Sequence, residues 1–174
     1  MEPSEEIVTA WLNQKGFFTI NNYKIGGSEL DLLALNPLEN RKWHVEVSVS
    51  VQPVGGWARQ SDPLKDVAFD VLGSQRYEER LERAFTRKFV GKAGQIESKI
   101  REIFGGPYDR YLVVGKLDPR YDPLEDFVRV WKKNGVEVRF FADIIKEIQI
   151  TDATYRDLGR RYIQLIEVFR HGTE

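Results

Sequence analysis

Two carboxylates, Asp31 in GGSELDLLAL and Glu46 in RKWHVEVSVSV, stand in stretches of the chain that are otherwise strongly apolar. A carboxylate withdrawn from water has to be paired, hydrogen-bonded or bound to a cation. Hard divalent ions take oxygen ligands and neutralise such acids, so a shared Mg2+ or Mn2+ is the chemistry this pair suggests. The competing reading has both side chains reaching solvent as ordinary surface acids.

The elements that must position them read as a helix followed by a three-strand meander. Residues 4–15 carry Val8, Trp11, Leu12 and Lys15 on one side, with Ser4 as the expected N-cap. At helical spacing Glu5 falls about 70° from the middle of that side, at the edge of the core, and Glu6 falls nearly opposite. Residues 17–25 form the first strand, ending at Gly26-Gly27, and residues 29–35 the second, stopped by Asn36-Pro37.

The third strand, 42–51, alternates: Trp43, Val45 and Val47 face the core, while Lys42, His44, Glu46 and Ser48 form a polar face that is the candidate site. With residues 36–41 as the loop, Leu35 pairs with Lys42 and Asp31 lies opposite Glu46, their Cβ atoms roughly 4.5 to 5.5 Å apart. Glu29 alternates onto the Asp31 face as outer support, and His44 reads as a partly buried neighbour rather than a ligand.

Beyond a loop at 52–62, which holds Arg59, residues 64–104 read as a long helical region interrupted at 91–94. Tyr77, Leu81, Phe85 and Phe89 form its apolar stripe, and Arg76, Arg80, Arg83 and Arg87 run beside it. Those arginines suit phosphate contact, or a solvated face paired with Glu78, Glu79 and Glu82. A strand at 110–115, a helix carrying Leu124, Phe127, Val128 and Trp131, and a strand at 136–141 follow. The expected organisation is an α/β domain over 1–150 and a C-terminal helix over 151–174. The seam Tyr155, Leu158, Tyr162, Leu165 and Phe169 either packs that helix on its own domain or makes a homodimer contact.

Composition sets bounds on all of this. At 174 residues and 41% hydrophobic side chains the chain supports one domain with a real core. It has no cysteine, so a disulfide framework and a thiolate metal site are excluded, and its two histidines argue against a His-rich one. Lys and Arg number 26 against 27 Asp and Glu, so nucleic-acid binding would have to rest on a local patch. An acidic start, MEPSEEIVTAWL, and the lack of a long apolar run lead to the expectation of a cytoplasmic protein without a membrane span.

The element order, with acids at Glu5, Asp31 and Glu46, resembles the PD-(D/E)XK nuclease superfamily. It looks most like the archaeal Holliday-junction resolvases and the small bacterial predicted endonucleases similar to them. The resemblance covers about residues 5–51 in motif and extends to about 141 in element order. It implies a restriction endonuclease-like fold: an α/β architecture with a central mixed five-stranded sheet flanked by helices and a C-terminal helix.

It further implies a helix glutamate at Glu5, the metal-binding aspartate at Asp31 and the acid of the E-x-K tripeptide at Glu46. The tripeptide's lysine, which orients the attacking water or offsets charge on the phosphate, is replaced here by Ser48. Lys42 sits four residues from Glu46, on the order of 13 Å along the strand, so Lys65 is the geometric candidate to stand in, with Arg59 and Lys65 as nearby phosphate contacts. The function implied is metal-dependent hydrolysis of DNA phosphodiester bonds. The alternatives are a catalytically inactive nuclease-fold module that binds nucleic acid or assembles with partners, and a structural protein that dimerises through its last helix.

Overall fold

Apolar residues at period two over residues 18–48 and at helical spacing on either side fold into a sheet covered on both faces. The computed structural model describes residues 2–49 and 67–150, together with Ile163 and Ile166. Helix α1 (Pro3–Gln14) is followed by β1 (Phe18–Ile25), β2 (Ser28–Asn36) and β3 (Arg41–Ser48). After α2 (Phe69–Leu72) and α3 (Ser74–Phe85) come a π turn (Thr86–Val90), a 3-10 turn (Lys92–Gly94) and α4 (Gln95–Phe104). Strand β4 (Asp109–Val114), helix α5 (Leu124–Lys133), strand β5 (Val136–Phe140) and helix α6 (Phe141–Glu147) complete the order.

The sheet is mixed and runs β1-β2-β3-β4-β5. The first three strands are antiparallel, and β3, β4 and β5 are parallel. This is the α/β class with a five-stranded sheet expected from the sequence. Leu35 pairs with Lys42, the register read from the loop length.

One face of the sheet presents Leu32, Ala34, Trp43, Val45 and Val113 to α1, α6 and the helical residues Ile163 and Ile166. On the other, Leu112 and Val114 meet Tyr77, Leu81, Phe89, Phe127 and Trp131 from α3, the π turn and α5. A third cluster seats Ile96 and Ile100 of α4 on Ile25, Leu30 and Leu33. Fully burying each large side chain contributes roughly 1.5 to 3 kcal/mol, which is why these helices hold their places over the sheet.

Several local expectations are corrected. The N-cap of α1 is Glu2 rather than Ser4, with Pro3 at the first helical position. The Glu5 carboxylate accepts the Glu2 N–H at 3.1 Å, closing the helix start. The long helical region is four pieces rather than two, because Gly73, Gly91 and Gly94 all adopt positive φ. Leu124 is exposed, not on the apolar face of α5. Helix α6 went unforeseen; its Ile144 and Ile145 join the α1 side of the core. The seam residues Tyr155, Leu158, Tyr162, Leu165 and Phe169 lie outside the described residues.

Candidate active site

Strands β2 and β3 stay paired as far as Leu32 and Val45, and the next step along that register brings Asp31 level with Glu46. There the Asp31 carboxylate accepts the Val47 N–H at 2.7 Å, so the side chain bridges the two strands where their ladder ends. Asp31 is half-buried, and Glu46 is only 3% exposed.

Glu46 is enclosed because the polar face of β3 is not a solvent face. The π turn and the aromatic cluster of α3 and α5 lie over it. His44 is fully buried, with its ring edge-on to Phe89 at 4.8 Å. Its Nε2 donates to Glu46 Oε1 at 2.9 Å, while Nδ1 has no hydrogen-bond partner among the described residues. Phe89 in turn packs on Trp131 at 6.1 Å, so the aromatic core fixes the imidazole that holds Glu46.

The second oxygen of Glu46 is met by a lysine that sequence reasoning missed. Lys88 Nζ donates to Glu46 Oε2 at 3.0 Å. Lys88 rides on the π turn, where Gly91 N–H bonds Thr86 C=O at 2.7 Å and the wider coil lets Phe89 enter the core while Lys88 reaches β3. Gly91 locks this geometry: its φ is +75°, and a Cβ there would stand 2.6 Å from Ile96 Cγ1, so only glycine fits. The one signal in the sequence was a lysine directly preceding Phe89, the last residue of the apolar stripe.

The electrostatics follow from this arrangement. Burial, joined by repulsion from Glu46, pushes the Asp31 carboxyl from an ordinary 3.8 up to about 7. The Val47 hydrogen bond and the Lys88 charge oppose that rise, and Glu5 adds to it. Burial works to raise Glu46 as well, but the His44 hydrogen bond and the Lys88 ammonium outweigh it and hold that carboxyl below its usual value. The result is one carboxyl held ionised and a neighbour whose charge is poorly compensated.

Glu5, the expected helix glutamate, is buried and close enough for its charge to act on Asp31. Its carboxylate is also engaged by the Glu2 N–H and, at 3.4 Å, by Asn22 Nδ2. Asn22 was not foreseen. It lies across β1 from Asp31, between the Asn21–Leu32 and Tyr23–Leu30 pairs, and holds a φ of +52° that asparagine tolerates better than most residues. The same amide nitrogen donates to Glu29 at 2.9 Å, and Glu29 itself is exposed. Ser48 sits at the end of β3, half-buried, its carbonyl accepting the Gly115 N–H at 3.3 Å.

Arg59 and Lys65 lie outside the described residues. The arginine row does not act as one surface. Arg76, Arg83 and Arg87 are exposed, whereas Arg80 is 2% exposed and stacked on Tyr77 at 5.4 Å, which removes it from any surface phosphate contact. Its position on the helix, one turn from Tyr77 and beside Leu81, turns it into the α3–α5 core.

Among the described residues no group of three or more His, Asp or Glu side chains is arranged to hold a metal ion. The pair Asp31 and Glu46 nonetheless suits Mg2+ or Mn2+. Mg2+ is commonly held by one or two carboxylates, with water and substrate phosphate completing its shell. Burial and the repulsion from Glu46 lift Asp31, and a cation between the carboxylates would offset both.

No protein-family model matches this chain, and a comparison with curated proteins finds no match. A solved structure described as that of a protein of unknown function, AF1548, aligns over 95% of this chain and 97% of its own, with 12% identity and a TM-score of 0.47. That likeness bears on neither substrate nor chemistry.

Proposed function

We propose that this protein is a metal-dependent nuclease of the PD-(D/E)XK kind that hydrolyses phosphodiester bonds in DNA. The observation that carries this reading is the Lys88 ammonium 3.0 Å from Glu46, on the pair that faces Asp31 across the hairpin. The element the tripeptide lacks at Ser48 is supplied from the π turn.

Asp31 and Glu46 would hold Mg2+ or Mn2+, which when bound polarises a phosphate oxygen and lowers the pKa of water at the site. Lys88 supplies a positive charge and hydrogen-bond donors beside the reacting phosphate, where negative charge builds during in-line attack. His44 and the Val47 amide keep the two carboxylates in place, so neither has to reorganise as substrate enters. The superfamily resemblance implies 5'-phosphate and 3'-hydroxyl products.

A second reading, a nuclease fold used only for binding or assembly, is favoured by a specific feature: both oxygens of Glu46 are already satisfied, by His44 and Lys88. The two separate in a cleavage assay on duplex and four-way-junction DNA with Mg2+ or Mn2+. The nuclease reading expects turnover in the wild type and its loss in Asp31→Ala, Glu46→Ala and Lys88→Met. Mn2+ should also raise the wild-type melting temperature, with no such rise in the two alanine variants. Turnover in neither metal, with Mn2+ stabilisation that survives both alanine changes, would leave the binding module standing instead.

A further inference from the structure

Both oxygens of Glu46 are in use, and they differ in what could replace their partner. Oε1 is closed off by His44, whose fully buried ring donates at 2.9 Å and lies edge-on to Phe89. Oε2 is held by the Lys88 ammonium at 3.0 Å. That ammonium behaves like a bound cation in a second respect. Its charge acts on Asp31 as well as on Glu46, opposing the rise of one carboxyl and helping to hold the other down.

An ammonium and a divalent ion on one carboxylate oxygen repel each other strongly where little water screens them. One of the two has to leave, and the fold prepares the lysine for it. The Lys88 side chain is 21% exposed and its stem is flexible, so water is within its reach. The π turn itself is held by Phe89, packed on Trp131 in the aromatic core, and not by the ammonium. Release therefore needs the rotation of one side chain while His44 keeps Glu46 in place.

We propose that Lys88 is a latch on the ion site: it takes the cation's place on Glu46 while the site is empty and is freed to meet phosphate only when a divalent ion takes Oε2. The inference rests on the reading of Asp31 and Glu46 as the ion-binding pair, and adds an order of events to it, ion before lysine and lysine before phosphate. The double engagement of Glu46 is then the resting state of the site. Because the latch has to open first, it weakens the apparent affinity for the ion.

Two measurements on the whole chain test this. Calorimetric titration with Mn2+ should show Lys88→Met binding at least about tenfold more tightly than wild type, because the competing ammonium is gone. Lys92→Met removes an equal charge from an exposed side chain just past the π turn, and should change the affinity less than about threefold. The second measurement follows wild-type protein carrying isotope-labelled lysine by NMR. The Lys88 signal is the one missing from Lys88→Arg, which keeps a cation beside Glu46. Without metal that ammonium should be protected from exchange with water, and saturating Mg2+ should remove the protection.

An Mn2+ affinity unchanged or weaker in folded Lys88→Met would overturn the latch, as would a Lys88 signal that stays protected in saturating Mg2+. Equal tightening in Lys92→Met would do the same, since general charge would then explain it. If circular dichroism shows Lys88→Met unfolded, the wild-type signal decides alone. Failure of the latch is distinguishable from failure of the reading beneath it. Ion binding that needs Asp31 and Glu46 while Lys88 stays protected sinks the latch alone. Absence of any Mn2+ binding that depends on those two acids sinks the ion-binding pair and the latch with it, whereas Mg2+ that frees Lys88 without DNA cleavage sinks the nuclease alone.

Discussion

Replacing Asp31 by asparagine should stabilise the protein in the absence of divalent metal at pH 8, although it removes a residue placed at the heart of the site. Burial and Glu46 raise this carboxyl from 3.8 to about 7, so at pH 8 the folded state carries a charge it disfavours. Every tenfold change in proton affinity corresponds to about 1.4 kcal/mol, which puts the upper bound at roughly 4 kcal/mol. Solvent reaches half-buried Asp31, so a working expectation is about 2 kcal/mol, or roughly 4 to 8 °C in melting temperature for a chain of this size.

The sign also sets the pH window for this prediction. An acid whose folded pKa lies above its unfolded value binds more protons when folded, so its contribution to stability falls as pH rises from about 4 to about 7 and is level beyond. Asparagine keeps an oxygen to accept the Val47 N–H and removes the titration. The gap between variant and wild type, measured by melting in EDTA, should therefore widen from pH 5 to pH 8. Adding Mn2+ should reverse the order, because only the wild type gains from binding the ion. A gap that is constant with pH, or a variant less stable than wild type at pH 8 in EDTA, would refute the reasoning.

Lys88→Met should destabilise the fold by about 2 to 4 kcal/mol in urea melts, because it strands the buried Glu46 carboxylate without its ammonium partner. Glu46→Gln made in the Lys88→Met background should recover part of that loss. Gly91→Ala should cost at least about 2 kcal/mol, combining a left-handed backbone with a Cβ pressed on Ile96, and should depress cleavage further by moving Lys88. His44→Phe should lose about 1 to 3 kcal/mol, seen by chemical denaturation, since Glu46 Oε1 then lacks its donor inside the protein. Ser48→Lys should give no gain in turnover over wild type, because Lys88 already occupies the Glu46 oxygen that a lysine there would approach; a large gain in that cleavage assay would show Lys88 to be a purely structural cation.

Much of the frame was legible because it is written in local patterns. Alternation from Trp43 to Val49 identified β3, and the length of the loop at Asn36-Pro37 set the register that brings Asp31 level with Glu46. Glycine and proline punctuation located the strands and α5. The N-cap at Glu2 and the helix α6 escaped because competing local signals, a serine at position 4 and a short run after β5, carry little weight without their tertiary contacts.

What the sequence determined by itself was therefore the sheet and the meeting of two acids on adjacent strands, since both depend on spacing within a hairpin. Only the tertiary structure decided the environment of those acids. That Glu46 is enclosed, that Asp31 is lifted by burial and by its neighbour, that Arg80 turns inward, and that Lys88 reaches Glu46 all depend on α3 and a π turn folding over β3. Lys88 and Glu46 are 42 residues apart, and no local rule of spacing connects them. Their contact is fixed by where Phe89 finds its place in the aromatic core and by the glycine at position 91 that lets the chain turn there.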